Sequence, residues 1–276
     1  MVVGVHPGGL GAVSPEVASL ADVVVADPGP ILATVVAAPQ ASVALALVLR
    51  ASLSLGVAEG LAAESAAYSM LQAGPEFAAW RSARPPSRSA AGCATCPAVV
   101  AQRIADVLQV SLARPERHNA VNTEMRDGLV EALLVACTDP SIERVVLAGA
   151  GPSFCSGGDL DEFGTLLDPA TAHLVRLTRS PARWLAELGP RLEVRLHGAC
   201  IGAGIEMAAF AARVVARPDT LISLPELRLG LIPGAGGTVS LPRRIGRHRT
   251  AELALTARPI DAGTALAWGL VDAIEP

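Results

Sequence analysis

Lysine is absent from this 276-residue chain, aromatic residues make up 3% of it, and the cysteines number five. With every basic side chain an arginine and a net charge of -4, a phosphate-bearing ligand has to be gripped by local arginine clusters, because no overall positive field attracts it. The shortage of aromatics leaves few platforms on which bases or sugars could stack, which argues against nucleic-acid binding. An odd set of cysteines (Cys93, Cys96, Cys137, Cys155, Cys200) does not suit a disulfide framework and points to a reducing, cytoplasmic setting. The N-terminus lacks the basic leader and apolar run of a signal peptide. The most apolar stretch, residues 31–49, is rich in alanine and interrupted by Pro39 and Gln40, so it reads as a buried helix and not as a membrane span.

What the chain does have is 51% apolar content, enough for a sizeable core, dominated by alanine and therefore favouring helices. Punctuation by glycine and proline divides it. Residues 1–30 read as an irregular segment, mostly loop with one strand at Val23-Val24-Val25. Residues 31–84 are helical, with helices expected over 41–53 and 57–71 before Gly74-Pro75. Residues 85–97, opening with Pro85-Pro86 and a run of small polar residues, form a linker. From 98 to 276 strands (107–112, 145–148, 194–196, 221–224) alternate with helices such as 123–137, in a pattern of ββα units that predicts an α/β fold.

Two glycine-rich turns fall where a strand should give way to a helix. One runs Phe154-Cys155-Ser156-Gly157-Gly158-Asp159-Leu160 and the other Gly202-Ala203-Gly204-Ile205-Glu206. Side chains this small leave backbone N–H groups uncovered, and two such donors from separate segments can form an oxyanion hole. Either turn alone reads more readily as a tight packing turn.

These segments, with their neighbours, resemble the crotonase (enoyl-CoA hydratase/isomerase) superfamily in the same order along the chain. Arg114-Pro115-Glu116-Arg117-His118-Asn119-Ala120 is similar to its early loop, and the two glycine-rich turns to its oxyanion segments. Leu224-Pro225-Glu226 through Gly230 and Pro233-Gly234-Ala235-Gly236-Gly237-Thr238 resemble its acidic strand and glycine loop, followed by Ala267-Trp268-Gly269-Leu270-Val271. The resemblance implies a spiral of ββα units with a helical cap, and oxyanion amides on Gly158 and Ala203. It also implies acid/base carboxylates on Glu206 and Glu226, and an acyl-CoA site lined by Asn119, Ala120, Ser156, Gly157, Asp159, Leu160, Gly202, Pro233 and Gly234. Keeping both glutamates favours hydration of a 2-enoyl-CoA to a 3-hydroxyacyl-CoA, with no cofactor beyond the coenzyme A of the substrate. Isomerisation or other acyl-CoA chemistry is the alternative within the family, and a non-catalytic acyl-CoA-binding subunit the alternative outside it. Such proteins assemble as trimers or hexamers.

Departures from the pattern are Asp161, where relatives often carry lysine, and Ala212, where aspartate is common. The family's C-terminal helices would follow Val271, yet Pro39 to Leu53, Gly60-Leu61-Ala62-Ala63-Glu64-Ser65 and the stretch from Leu71 to Trp80 resemble those helices at the front of the chain. A circular permutation is the expectation. No metal is expected: Cys93-Ala94-Thr95-Cys96 has no second pair, and His118, His173, His197 and His248 are scattered. Gly202-Ala203-Gly204 lacks the rest of a dinucleotide fingerprint. The cluster Arg243, Arg244, Arg247, His248, Arg249 reads as a solvated face.

Overall fold

The computed structural model describes residues 1–84, 96–165 and 168–276. Residues 1–84 hold β1 (Val3–Val5), α1 (Pro15–Ser19), β2 (Val23–Val25), α2 (Gly29–Ala37), α3 (Pro39–Ala51), α4 (Val57–Gln72) and α5 (Pro75–Ala83). Next come β3 (Val99–Ile104), β4 (Val107–Leu112), α6 (Thr123–Thr138), β5 (Arg144–Gly149), α7 (Pro169–Arg179), α8 (Ala182–Leu188) and β6 (Leu192–Leu196). The remainder is β7 (Ala199–Ile201), α9 (Ala203–Ala208), β8 (Arg213–Ala216), β9 (Leu221–Ser223), α10 (Gly237–Thr256), β10 (Ile260–Asp261), α11 (Ala262–Trp268) and β11 (Ala273–Ile274).

The main sheet has the order β11-β8-β6-β5-β4-β3. Among the described residues its β3–β4 hairpin is antiparallel and its other pairs are parallel. The central strands bury one face through Val145, Leu147, Val194 and Val214, which have no exposed surface, while Gln109, Arg144 and Arg195 on the opposite face meet solvent. A second sheet, β10-β9-β7, carries the two turns that shape the cavity described below. A bridge between Cys155 and Cys200 ties the first glycine-rich turn to β7.

Helix ends follow local chemistry. Asn122, Asp168 and Asp261 cap α6, α7 and α11 by accepting backbone N–H groups. The α3 terminus begins with Pro39 and lacks a cap of its own. Its Gln40 and Ala41 N–H groups donate instead to the Glu76 carboxylate of α5, at 2.6 and 3.1 Å. Residues 39–83 thereby fold on themselves and lie against the rest of the chain: a Cβ on Gly60 would meet Val239 of α10 at 2.9 Å, and one on Gly230 would meet Glu76 of α5 at 2.6 Å. Phe77, Leu45 and Leu71 belong to the same buried cluster as the main-sheet residues.

Three expectations need correction. Residues 1–30 are not irregular, because β1 and β2 form a parallel pair with α1 between them, a contact that local sequence does not announce. The basic cluster on α10 is not a solvated face. Arg244 donates to the Leu270 and Ala211 carbonyls, Arg247 to the Ser19 carbonyl and Arg249 to the Trp268 carbonyl, while Arg243 reaches the Leu55 carbonyl. His248 Nε2 sits 2.8 Å from the Ala18 carbonyl. These side chains are spent on carbonyls of residues 18–55, of Ala211 and of residues 268–270, fastening those segments to α10. Third, the first glycine-rich turn does not open a helix: residues 160–164 continue as turns. Asp159 there is anchored by Arg114 and Arg117, and Asp161 by Arg117 and Arg84.

Residues 85–95 of the expected linker, with Cys93, lie outside the described residues. Among the described residues no single helix is long and apolar enough to cross a membrane, and α2 and α3 meet at 113°.

Candidate active site

A cavity of about 500 Å³ opens between the first glycine-rich turn, the start of α9, the loop 234–235, and α4 and α7. Gly158, Asp159, Ala203, Glu206, Glu226 and Gly234 line it. Val121 N–H donates to the Gly157 carbonyl and Asp159 N–H to the Val121 carbonyl, so the strand-like pairing uses groups on either side of the Gly158 N–H and leaves that N–H out. Gly202 N–H is taken by the Ser223 carbonyl, which leaves Ala203 as the first helical residue of α9 with an orphan amide. Among the described residues neither the Gly158 nor the Ala203 N–H donates to an acceptor. Two unspent donors therefore face one cavity, the arrangement that stabilises a developing oxyanion.

Gly202 makes this geometry possible. Its φ of 50° favours glycine, and a Cβ there would lie 2.3 Å from Glu226 Oε1. Gly158 is constrained in its turn by the Phe163 ring, 2.5 Å from where a Cβ would sit. Phe163 packs edge-on to Trp80 at 6.4 Å, and Trp80 stacks on Phe77 at 5.5 Å, so an aromatic row from α5 props the first turn.

Three carboxylates are buried here. Glu206 is 2% exposed, and its Oε2 accepts Ala235 N–H at 2.7 Å and Gly237 N–H at 2.9 Å. Glu64, from α4, is also 2% exposed and takes the intervening donors: Gly236 N–H at 2.7 Å, Thr238 N–H at 2.8 Å and Thr238 Oγ1 at 2.7 Å. The start of α10 is thus stapled alternately by a carboxylate from α9 and one from α4, at a helix N-terminus that favours negative charge. Glu226 differs, because its buried Oε2 has no hydrogen-bond partner among the described residues.

Burial raises all three. Glu226 is pushed up to about 8 by burial, with Glu64 adding to the rise. Glu64 rises to about 7 for the same reason, against the pull of Thr238, Gly236 and Arg176. Glu206 is raised well above the carboxylate range by burial and then by repulsion from Glu226 and Glu64, while its two backbone bonds oppose the rise. Three close carboxylates cannot all ionise together. The unpartnered oxygen makes Glu226 the natural seat of a proton, and the two N–H donors make Glu206 the better anion.

The other expected site residues lie around the cavity without lining it. Asn119 is fully buried, accepts Arg114 N–H and donates to the Ala150, Ser153 and Phe154 carbonyls, so its amide is committed to holding the early loop. Ala120 offers its carbonyl to Arg114 and Leu160 its carbonyl to Arg84. Ser156 Oγ turns to the Arg117 carbonyl at 3.5 Å. Gly157 and Gly202 act through backbone geometry, and Pro233 is buried behind Gly234.

Sequence reasoning missed Glu64, Tyr68 and Arg176. Tyr68 packs where a Cβ on Gly234 would sit, at 2.4 Å, and Arg176 lies over its ring at 4.6 Å. The available signal was the spacing Gly60, Glu64, Tyr68: one face of an alanine-rich helix, with a lone acid where burial is expected.

A family model described as enoyl-CoA hydratase/isomerase matches residues 102–276. A mevalonyl-coenzyme A hydratase of Beauveria bassiana is 33% identical over 178 residues, covering 62% of this chain and 64% of its own length. A 2,3-dehydroadipyl-CoA hydratase of Escherichia coli is 34% identical over 180 residues, covering 64% of this chain and 69% of its own. The crystal structure of an enoyl-CoA hydratase from Thermoplasma volcanium superposes with a TM-score of 0.59 at 32% identity, over 65% of this chain and 72% of the other. The chain thus spans about two thirds of the length of relatives it matches.

Proposed function

The chain belongs to the enoyl-CoA hydratase/isomerase family, and from that premise we propose that it hydrates a 2-enoyl-CoA to a 3-hydroxyacyl-CoA. The observation that carries this reading is the pairing, in one cavity, of two unspent amides with two buried glutamates of different environment. The thioester carbonyl oxygen accepts from Gly158 and Ala203 N–H, which stabilises the enolate that forms as water attacks Cβ. Glu206, the better anion, orients the water and removes its proton. Glu226, the proton holder, delivers a proton to Cα, so that OH and H add across the double bond and the carboxylates exchange protons to reset. Coenzyme A arrives as part of the substrate, and no other cofactor enters.

Residues 39–83 complete this site from the front of the chain. Glu64 and Tyr68 of α4 meet the 234–238 loop, and Trp80 of α5 backs Phe163. This placement supports reading them as the family's C-terminal helices displaced by circular permutation. Assembly as a trimer or hexamer in the cytoplasm is part of the same proposal.

The test follows loss of the conjugated enoyl absorbance with a panel of 2-enoyl-CoA thioesters. Wild type turns them over, and Glu206→Gln and Glu226→Gln each lower kcat by at least about a hundredfold. Tight binding of the thioesters without turnover would sink the hydratase reading.

A further inference from the structure

Helix α7 mixes apolar and polar residues along its length and points one arginine at α4. The Arg176 guanidinium donates from Nε to Ser65 Oγ at 3.3 Å, from Nη1 to Gln72 Oε1 at 3.1 Å and from Nη2 to Ser69 Oγ, and it covers the Tyr68 ring. Every one of these partners is neutral. Arg176 forms no ion pair among the described residues, and the carboxylate that acts on it from farther off, Glu64, is already spent on Gly236 and Thr238. Burial pushes its pKa down, the direction expected of a cation short of both water and an anion. Arg126, which also lines the cavity, is bonded to Asp127 at 2.9 Å.

A second cavity of about 250 Å³ adjoins the first, and Arg176 and Gly234 line both. Arg183 also lines the second; it lies over the Trp184 ring at 5.0 Å and has no acidic partner among the described residues. The second cavity is therefore bordered by two arginines that no acidic side chain pairs directly among the described residues; Glu64, also on its wall, has its oxygens committed to Gly236 and Thr238. A half-buried guanidinium held only by neutral acceptors keeps N–H donors to spare, and its fork suits a carboxylate.

We propose that the acyl group of the substrate ends in a carboxylate, which Arg176 grips where the two cavities meet while Arg183 adds to the positive field beyond it. The substrate class is the mono-CoA thioester of an unsaturated dicarboxylic acid. This rests on the acyl-CoA reading of the site and narrows it.

The inference is tested by calorimetric titration with saturated thioesters, which cannot be hydrated. Each dicarboxylyl-CoA of about four to eight carbons is compared with its own ω-methyl ester, a neutral chain of nearly the same shape. At the best length the acid binds wild type about tenfold or more tightly than the ester. Arg176→Met brings the ratio to about one, Arg176→Lys retains part of it, and Arg183→Met lowers it less. Equal binding of acid and ester by wild type at every length overturns this inference while leaving hydration of neutral chains standing. An acid preference that survives Arg176→Met also overturns it, and then Arg176 serves only to tie α7 to α4. Should Arg176→Met fail to fold, wild type, Arg176→Lys and Arg183→Met still decide. Failure to bind any thioester overturns the acyl-CoA reading itself.

Discussion

The stretch 102–276 and the stretch 39–83 both send a carboxylate to the start of α10, on different terms. The first supplies Glu206 and Glu226, held close enough to repel and, in Glu226, with an oxygen buried away from any partner. The second supplies Glu64, whose two oxygens accept three donors. A buried polar atom without a partner costs stability, whereas a satisfied one rigidifies what it touches. The core thus keeps its reactive groups in an expensive state, and the helical segment holds the loop on which those groups depend.

The largest effect should come from separating the two stretches. A chain reduced to residues 96–276 loses the partners of Gly230, Gly234 and Val239, exposes the apolar face of α10, and is expected to be insoluble or inactive. Moving residues 1–84 behind residue 276, joined by a flexible linker, should restore folding and turnover to within a few-fold of the natural order. Circular dichroism and the enoyl absorbance assay read both outcomes. Full activity in the shortened chain would show that residues 1–84 are an appendage, and failure of the reordered chain would count against permutation.

The comparison sharpens through pH. Glu226 is raised from 4.5 to about 8 in the folded state. A group whose folded pKa is raised contributes stability that is fully present below the unfolded value, near pH 4.5, and lost as pH climbs through about 8. Replacing it with glutamine removes that loss. Glu226→Gln should therefore match wild type at pH 5 and become more stable by on the order of a few kcal/mol at pH 8. Urea melts across that range check it, and a gap that stays flat with pH would contradict the burial argument.

How much of this could be read beforehand depended on whether the controlling contacts were local. The β4 strand falls on residues 107–112 as expected, and α4 on Val57–Gln72 against an expected 57–71, because periodicity and the breaker at Gly74-Pro75 act over a few residues. Both amides and both core glutamates were named from the resemblance of the two glycine-rich turns and the acidic strand to the family's motifs. The β1–β2 pair, the arginine clamp on α10 and the staple by Glu64 depend on contacts between distant segments, with 172 residues separating Glu64 from Gly236. Helix α10 itself was hidden by Pro242 and by Gly246, whose φ of 78° breaks it into two runs. Asn119 shows a contact of the same kind, since its side-chain amide holds the early loop to carbonyls more than thirty residues away.

The finest cut between the two stretches is Glu64→Gln. Glutamine keeps one acceptor oxygen and puts an NH2 where the other stood, so it faces N–H groups of Gly236 and Thr238 and leaves at least one of them orphaned. The loop should relax, and with it Ala235 and Gly237, which hold Glu206. We expect kcat to fall about ten- to hundredfold with little change in KM, since Glu64 is not proposed to touch substrate. Glu64 also repels Glu206, so neutralising it lowers the Glu206 pKa and moves the acidic limb of the kcat–pH profile to lower pH. Glu64 raises Glu226 as well, so the basic limb moves down in the same variant, and the acidic limb is the one that reports on Glu206. Glu64 is itself raised to about 7, so its variant also escapes a loss as pH climbs, but it gives up hydrogen bonds that Glu226→Gln does not, and Glu64→Gln should be the less stable of the two. Equal stability of the two variants would mean that the stretches carry their carboxylates on the same terms after all.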